Sequence, residues 1–355
     1  MIPERHRLGE DAALALLARA KVVHLASTDA QGLPLLRALN AVLVDGWLVW
    51  HGSQGGEKAL VPGRPAQIAA HERVAEIPSH FIDPERACPA TNYYESVHAT
   101  GIPEDVTDPA LKARLLQALM EKYQPEGGHR PLTGDDPLYT ASLAGTRVLR
   151  MALATLTGKS KLGQNRSPGE RQRICERLWE RGHPEDRRAI DRILDANPDT
   201  PYPGILAAPP GARLRCAPAA ALADSAAALL AGRYWTGGES PTALAAAHRR
   251  SPGWLGALET TSGQLVVSGR VLGDGLRRAW LLDVVVREDW QGRGLGTALV
   301  RLLLDHPDAR SAREVCLRTQ DAQRFYARFG FEPLSPGAEP WPTLRRQPGP
   351  PPLAL

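Results

Sequence analysis

Residues 280–301 read WLLDVVVREDWQGRGLGTALVR, and this stretch decides the fold of the second half of the chain. The apolar, β-branched run at 281–286 predicts a buried strand, and residues 297–304 have the apolar spacing of a helix. Between them lies a glycine-rich turn. Glycine permits positive φ and a close approach to the main chain, so this order aims backbone N–H groups at an anion. The candidate phosphate-binding residues are Gln291, Gly292, Arg293, Gly294, Leu295, Gly296 and Thr297.

The pattern Q-x-x-G-x-G after a strand resembles the acetyl-CoA signature of the GNAT acyltransferases. That resemblance implies that the loop holds the pyrophosphate of coenzyme A. Two other phosphate motifs match less well. A Rossmann fingerprint requires a third glycine where Thr297 stands, and a P-loop requires a lysine, but the chain has none after Lys161.

The sequence downstream of this loop strengthens the resemblance. Residues 314–319 predict a buried strand, and Asp321 is expected to cap a helix at 322–329 that Gly330 ends in the left-handed conformation. Residues 325–331, FYARFGF, resemble the F-Y-x-x-x-G-F segment of GNAT enzymes, whose tyrosine is a general acid in many members. A phenol with a pKa near ~10 stays protonated at neutral pH and can protonate a thiolate leaving group. The resemblance makes Tyr326 the candidate acid.

Composition limits the class of protein. The 355 residues, 43% of them hydrophobic, allow two or three domains with their own cores. The four cysteines are far apart, which argues against a disulfide framework or a metal site and indicates a cytoplasmic location. No stretch is long enough to span a membrane. The net charge of +4 is concentrated after residue 200 and is too scattered to predict nucleic-acid binding.

Two proline-rich stretches divide the chain. Residues 196–214 have no hydrophobic period and predict a linker, and residues 333–355 predict a mostly disordered tail. We therefore expect a first domain at 1–200, a linker at 201–214, a second domain at 215–336 and a tail at 337–355.

The first domain shows short apolar runs, an Asp45-Gly46 hairpin signal and a clear helix at 108–123. This pattern favours a small antiparallel barrel. Three stretches then resemble the split-barrel flavoproteins, which include pyridoxamine-phosphate oxidases and PaiB-type proteins. They are HLASTDAQGLPLLRALNAVLVDGWLVWHGSQGGEK at 24–58, ACPATNYYESVHATG at 87–101 and GKSKLGQNRSPGER at 158–171. In the last stretch Gly163 replaces the family's usual serine.

The split-barrel resemblance implies FMN as the cofactor of the first domain. Cationic, hydroxyl and amide side chains suit a phosphate and the polar edge of a flavin ring. The residues that match are Ser53, Lys58, Lys161, Gln164, Asn165 and Arg166. Some split-barrel proteins bind haem instead, for which His51 and His98 are candidate axial ligands.

The sequence thus predicts an α+β protein, with an N-terminal antiparallel split β-barrel flanked by helices and a C-terminal mixed α/β GNAT fold. We expect acetyl transfer from acetyl-CoA to a small-molecule amine, with Asp283 as a base or amine anchor and Tyr234 and Trp235 lining the amine site. The first domain is expected to be a flavin-dependent redox domain. The alternatives are a haem domain that transforms an N-hydroxylated amine, and a flavin-sensing module without turnover. The resemblance also implies a homodimer.

Overall fold

The computed structural model describes residues 2–29, 31–55, 61–217, 220–334 and 342–347. It divides into two compact units. Unit 1 comprises Met1–Glu76 and Asn92–Asn165, and unit 2 comprises Ile77–Thr91 and Arg166–Leu355. Residues 166–200, which the sequence analysis grouped with the first domain, therefore pack within unit 2. No helix in the described ranges is long and apolar enough to cross a membrane.

Unit 1 is built from antiparallel strands, with three α-helices among its described residues. Its elements are β1 (Arg7–Leu8), α1 (Glu10–Arg19), β2 (Val23–Thr28), β3 (Pro34–Leu39), β4 (Val42–Val44), β5 (Trp47–Ser53), β6 (Ala66–Ile77), β7 (Thr91–Gly101), β8 (Pro103–Val106), α2 (Pro109–Tyr123), α3 (Thr140–Gly145), β9 (Thr146–Ala152) and β10 (Thr155–Lys161). One sheet has the order β1-β10-β7-β6-β2-β3 and the other has the order β4-β5-β9-β8. The predicted antiparallel barrel is confirmed.

Strand β5 is buried on both faces, which explains its nearly continuous apolar sequence. Leu48 and Trp50 join a core formed with α1, β2 and β6, whereas Val49 joins a second core under α2. Successive side chains of a strand point to opposite faces, so neighbouring residues serve different cores. The turn before β5 uses positive φ at both Asp45 and Gly46, as the hairpin signal predicts.

Unit 2 begins with the helices α4 and α5, which are followed by one mixed sheet and the helices that connect its strands. Its elements are α4 (Pro168–Arg181), α5 (Asp186–Ala196), β11 (Ala212–Arg215), α6 (Ala220–Leu230), α7 (Pro241–Arg250), β12 (Gly253–Glu259), β13 (Leu265–Gly273), β14 (Arg278–Val286), α8 (Leu295–Leu304), α9 (Pro307–Arg310), β15 (Glu314–Arg318), α10 (Gln323–Ala327), β16 (Glu332–Pro333) and β17 (Thr343–Arg346). The sheet order is β11-β12-β13-β14-β15-β17-β16. The predicted mixed α/β fold is confirmed.

The centre of this sheet opens into a fork. Strands β14 and β15 are parallel, but they pair only from Arg278↔Glu314 to Trp280↔Cys316. Strand β14 continues to Val286 and β15 to Arg318 without further pairing between them. The unpaired ends leave main-chain groups and side chains of both strands facing a gap in the sheet.

Parts of both proline-rich stretches take part in the sheet. Residues 212–214, at the end of the expected linker, form β11 together with Arg215 at the edge beside β12. Residues 343–346, inside the expected tail, form β17 between β15 and β16. Strand β17 is thus an ordered segment within the tail, because its backbone completes the hydrogen bonds of two neighbouring strands. Residues 335–341 and 348–355 lie outside the described residues.

The packing of Trp254 over Gly256 in β12 gives a testable prediction. Trp254 is fully buried and lies over Gly256, and a Cβ added at Gly256 would be 2.6 Å from its ring and 2.9 Å from the Val267 carbonyl oxygen. We expect Gly256→Ala to lower the free energy of unfolding by about 1–3 kcal/mol, as overpacked cores generally do. Urea denaturation followed by tryptophan fluorescence measures it. Gly204→Ala, where a Cβ meets nothing within 4 Å, is the control; equal midpoints for the two variants would contradict the packing.

Candidate functional site

The glycine loop ends at the N-terminus of α8. Gly292 and Gly294 have φ of 75° and 84°, and Gly294 is the N-cap residue of the helix without a side-chain cap. The first N–H groups of a helix have no partner within it, and the helix dipole makes them a site for anions. The loop therefore exposes several backbone donors where the sequence predicts a phosphate.

A cavity of about 570 Å³, here called the loop cavity, lies against this loop. Five of the seven predicted residues line it, namely Gln291, Gly292, Gly294, Gly296 and Thr297. Arg293 and Leu295 are not among its lining residues. The Arg293 guanidinium stacks 4.8 Å from the Trp290 ring centroid, and Leu295 is buried in the helix packing.

Two arginines that the sequence analysis missed also line the loop cavity, Arg233 and Arg328. Arg328 further lines an adjoining cavity together with Arg301, Gly294 and Thr297. Two arginines beside a helix N-terminus suit a ligand that carries several phosphates. Both arginines lie outside the glycine motif in the sequence, so only the fold reveals that they line the same cavity as the motif.

The contacts around Gly296 show that the glycine loop at 291–296 packs against the aromatic segment at 325–331. A Cβ added there would lie 3.4 Å from Val286 and 3.5 Å from the ring of Phe325. The first turn of α8 is therefore packed between the end of β14 and the aromatic segment of α10. Phe325 in turn contacts Tyr326 and Phe329 edge to face.

Strand β14 carries a β-bulge at the fork. The register with β13 shifts so that Gly269 faces two residues, Asp283 and Val284. Asp283 has φ of 53°, and Arg270 binds its Oδ2 with Nε at 2.7 Å and Nη2 at 2.5 Å. A non-glycine residue with positive φ is strained, and this ion pair holds it in place. The bulge aims the main chain around Val284 into the fork.

A second cavity of about 320 Å³, here called the fork cavity, opens between β14 and β15. Tyr234, Trp235 and Asp283 line it, so the structure brings together the residues predicted for an amine site and a base. Sequence reasoning missed four further residues, which are Trp280, Arg318, Thr319 and Asp321. No sequence signal distinguished Trp280 from the apolar run that follows it, and its exposure of 36% is visible only in the fold.

Tyr326 lies between the two cavities and lines both. Its side chain is buried, and its ring packs against Phe331 at 5.8 Å between centroids. Burial raises the pKa of Tyr326, and the nearby Tyr234 and Asp321 raise it further. The phenol therefore keeps its proton throughout the neutral range, as a general acid requires.

The predicted flavin residues of unit 1 are spread over several elements. Ser53 ends β5 and is exposed, Lys58 lies outside the described residues, and the Lys161 ammonium lies 5.9 Å from the Tyr94 ring centroid. Gln164 is already engaged within its turn, since its Oε1 accepts from the Leu162 N–H at 2.7 Å. Its amide is therefore less available to a flavin ring than the sequence suggests.

The remaining members of that cluster fall on both sides of the division between the units. Asn165 is exposed at the end of unit 1. Arg166 belongs to unit 2, where it donates to the Pro89 carbonyl at 3.2 Å.

Unit 1 also has a cavity of about 740 Å³, which is lined by residues of α1 and β10, including Gly158 and Lys159, and by none of the predicted flavin residues.

The two candidate haem ligands occupy different strands of unit 1. His51 is exposed on β5, and His98 is half-buried on β7 with Nδ1 3.1 Å from the Gln67 amide nitrogen. No group of three or more metal-binding side chains occurs among the described residues.

Comparisons with known proteins assign both halves of the chain. Residues 9–160 match the family model described as pyridoxamine 5'-phosphate oxidase, and residues 254–333 match the model described as acetyltransferase (GNAT) domain. The chain therefore carries an N-terminal domain like pyridoxamine 5'-phosphate oxidase and a C-terminal GNAT domain. The comparison with curated proteins gave no match.

Several solved structures are similar to part of this chain. The flavocytochrome Anf3 from Azotobacter vinelandii is 17% identical, with 43% of this chain and 67% of that chain covered and a TM-score of 0.37. The FAD and haem binding protein from Mycobacterium smegmatis is 21% identical, with 44% and 74% covered and a TM-score of 0.38. The FAD binding protein from the same organism is 14% identical, with 44% and 97% covered and a TM-score of 0.29.

Proposed function

We propose that unit 2 transfers an acetyl group from acetyl-CoA to the amine of a small molecule. The observation that carries this proposal is the meeting of two cavities at Tyr326, where β14 and β15 separate. One cavity is lined by backbone donors and arginines that suit a pyrophosphate, and the other by aromatic side chains and carboxylates that suit an amine. A reaction between two substrates requires such neighbouring sites.

In this mechanism the loop residues Gln291, Gly292, Gly294, Gly296 and Thr297 bind the pyrophosphate. The amine nitrogen attacks the thioester carbonyl carbon within a ternary complex, and the C–S bond breaks. Main-chain groups at the bulge stabilise the negative charge on the carbonyl oxygen. Tyr326 gives its proton to the departing thiolate, and the proton that the attacking nitrogen loses passes through water to the phenolate. The products are the amide and the free thiol of coenzyme A.

Asp283 is the anchor of this arrangement in our proposal. Its ion pair with Arg270 fixes the bulge, and its carboxylate lies on the wall of the fork cavity. Tyr234 and Trp235 line the same cavity, in a T-shaped contact of 4.8 Å between ring centroids. An amine bound between them faces Tyr326, which lines the same cavity.

Thiol release from acetyl-CoA in the presence of primary amines tests the acetyltransferase proposal. We expect the purified protein to bind acetyl-CoA by calorimetry and to release the coenzyme A thiol only when an amine is present. A protein that does not bind acetyl-CoA would exclude this function.

For unit 1 we propose FMN binding, supported by the family match at residues 9–160 and by the cationic side chains near the end of β10. Ser53 and Lys58 would hold the phosphate, with Lys161, Asn165 and Arg166 as further polar groups and Gln164 as the weakest candidate. Bound FMN supplies a redox-active ring.

We also propose that the protein is a homodimer, which light scattering of the purified protein would test.

Three substitutions separate FMN from haem. We expect Lys58→Ala to weaken FMN binding at least about tenfold, the effect of losing about 1.4 kcal/mol from a phosphate contact. His51→Ala should leave the flavin in place. The absorption spectrum of each purified variant gives the flavin content directly. A Soret band that disappears in His51→Ala or in His98→Ala would instead establish haem.

A further inference from the structure

Asp321 does not have the role that its sequence position predicts. It was expected to cap the following helix, but the N-cap residue of α10 is Ala322 and receives no side-chain cap from Asp321. The Ala322 N–H instead donates to Thr319 Oγ1 at 3.1 Å. The Asp321 carboxylate is therefore not used to complete the helix end, and another role has to account for its position.

The carboxylate lies on the wall of the fork cavity and is exposed. Tyr234 donates its hydroxyl proton to Asp321 Oδ1 at 3.0 Å, while the Gln320 N–H donates to the same hydroxyl oxygen at 3.0 Å. A tyrosine hydroxyl has only one proton. Since the oxygen accepts from the backbone, that proton is directed at Asp321, and the contact fixes the carboxylate in the cavity.

Asp283 is the other carboxylate of this cavity, and its surroundings differ. Arg270 neutralises it at 2.7 and 2.5 Å, and its backbone is held in the left-handed region. The Asp321 carboxylate instead accepts hydrogen bonds from the hydroxyls of Tyr234 and Thr319. The charged and titratable side chains that face it across the cavity are Asp283, Arg318, Tyr234 and Tyr326.

We propose that Asp321 accepts the proton that an alkylammonium substrate must lose before its nitrogen can attack the thioester. This inference rests on the proposed acetyl transfer. The ammonium N–H bond breaks, its electron pair stays on nitrogen, and the proton moves to the carboxylate and then to water. The nitrogen forms the new C–N bond, the C–S bond breaks, and Tyr326 protonates the sulfur. The second proton that the nitrogen loses after attack passes through water to the Tyr326 phenolate. Tyr234 is the positioning residue that holds Asp321.

The rest of the cavity wall defines the acceptor class. Trp235, Trp280 and Leu281 give it apolar, partly aromatic surfaces. Flat apolar walls next to a carboxylate suit an ammonium group carried on an aromatic or aliphatic body. Benzylamine, which is charged at neutral pH, and aniline, which is uncharged, are therefore matched probes. Only benzylamine has a proton to lose before attack.

The test compares acetylation of the two amines at neutral pH. With Asp321→Asn we expect the maximal rate with benzylamine to fall about 100-fold, the lower range of general-base contributions. The rate with aniline should change little. Asp321→Glu should recover part of the benzylamine rate, and Tyr234→Phe should show the same preference for aniline to a smaller degree. Asp224→Asn, which removes an exposed carboxylate paired with Arg249, is the matched control.

The outcomes separate this inference from the proposed function. An equal loss with both amines, or no loss with benzylamine, would overturn the role of Asp321 while acetyl transfer stands. A wild-type protein that binds acetyl-CoA but acetylates neither amine would overturn the acceptor class. A wild-type protein that does not bind acetyl-CoA would overturn the proposed function and this inference with it.

Discussion

Gly294→Glu is expected to abolish acetyl-CoA binding, with affinity lowered by at least about 100-fold, or about 2.7 kcal/mol. Gly294 has φ of 84° and begins α8, so a glutamate there is strained and places a carboxylate in the anion site. Its side chain also enters the wall shared by the loop cavity and the cavity beside Arg301. Calorimetry with acetyl-CoA measures the change.

Two control variants isolate the cause of that loss. Gly263→Glu introduces the same charge at another glycine with positive φ, 69°, in the β12–β13 turn, and should leave binding intact. Gly294→Ala carries the backbone strain without the charge and should give an intermediate affinity. The FMN that we propose for unit 1 should bind equally well in all three proteins. If Gly294→Glu binds acetyl-CoA as tightly as the wild type, the loop does not hold the pyrophosphate.

Tyr326→Phe should lower the maximal acetylation rate about 100-fold or more, within the range that a positioned acid contributes. The lost proton matters only in the transition state, so the affinity for acetyl-CoA should change much less. Steady-state kinetics and calorimetry on the same preparation separate the two quantities. Tyr202→Phe, at an exposed tyrosine that lines neither cavity, is the control.

The raised pKa of Tyr326 has a consequence for the pH profile. The protonated phenol is the active form, and a raised pKa means that it persists to higher pH than an ordinary tyrosine. Activity should therefore show no loss from Tyr326 ionisation up to about pH 10.

If Tyr326→Phe weakens acetyl-CoA binding and leaves the maximal acetylation rate unchanged, Tyr326 is a packing residue of the Phe325–Phe331 cluster.

The local order of elements was predictable because it depends on short-range chemistry. The strand, glycine loop and helix at 278–304 follow from hydrophobic period and from glycine at the positions that adopt positive φ. The β4–β5 turn and the Asp108 cap of α2 follow in the same way from adjacent residues. Each of these features is encoded within a few positions of the chain, so the sequence alone determined them.

Predictions from the sequence were wrong where a side chain's hydrogen-bond partner depends on the contacts that the fold creates. Asp321 had an ordinary capping position, but Tyr234, 87 residues away, holds its carboxylate in the fork cavity. Gln164 had the composition of a ligand-binding cluster, but its amide closes its own turn. Local patterns cannot decide between such partners, because the better hydrogen bond depends on which groups the fold brings within reach.

The sequence by itself thus determined two folds, a split barrel and a GNAT domain, and the loop in which an anion can bind. The tertiary structure decided which residues share a cavity and where the compact units divide. It joined Arg233 and Arg328 to the glycine loop, paired Arg270 with Asp283 across the bulge, and placed 343–346 in the sheet. Hydrophobic period specifies which face of an element is buried, whereas the pairing of strands and the packing of α10 on α8 determine which side chains face each other.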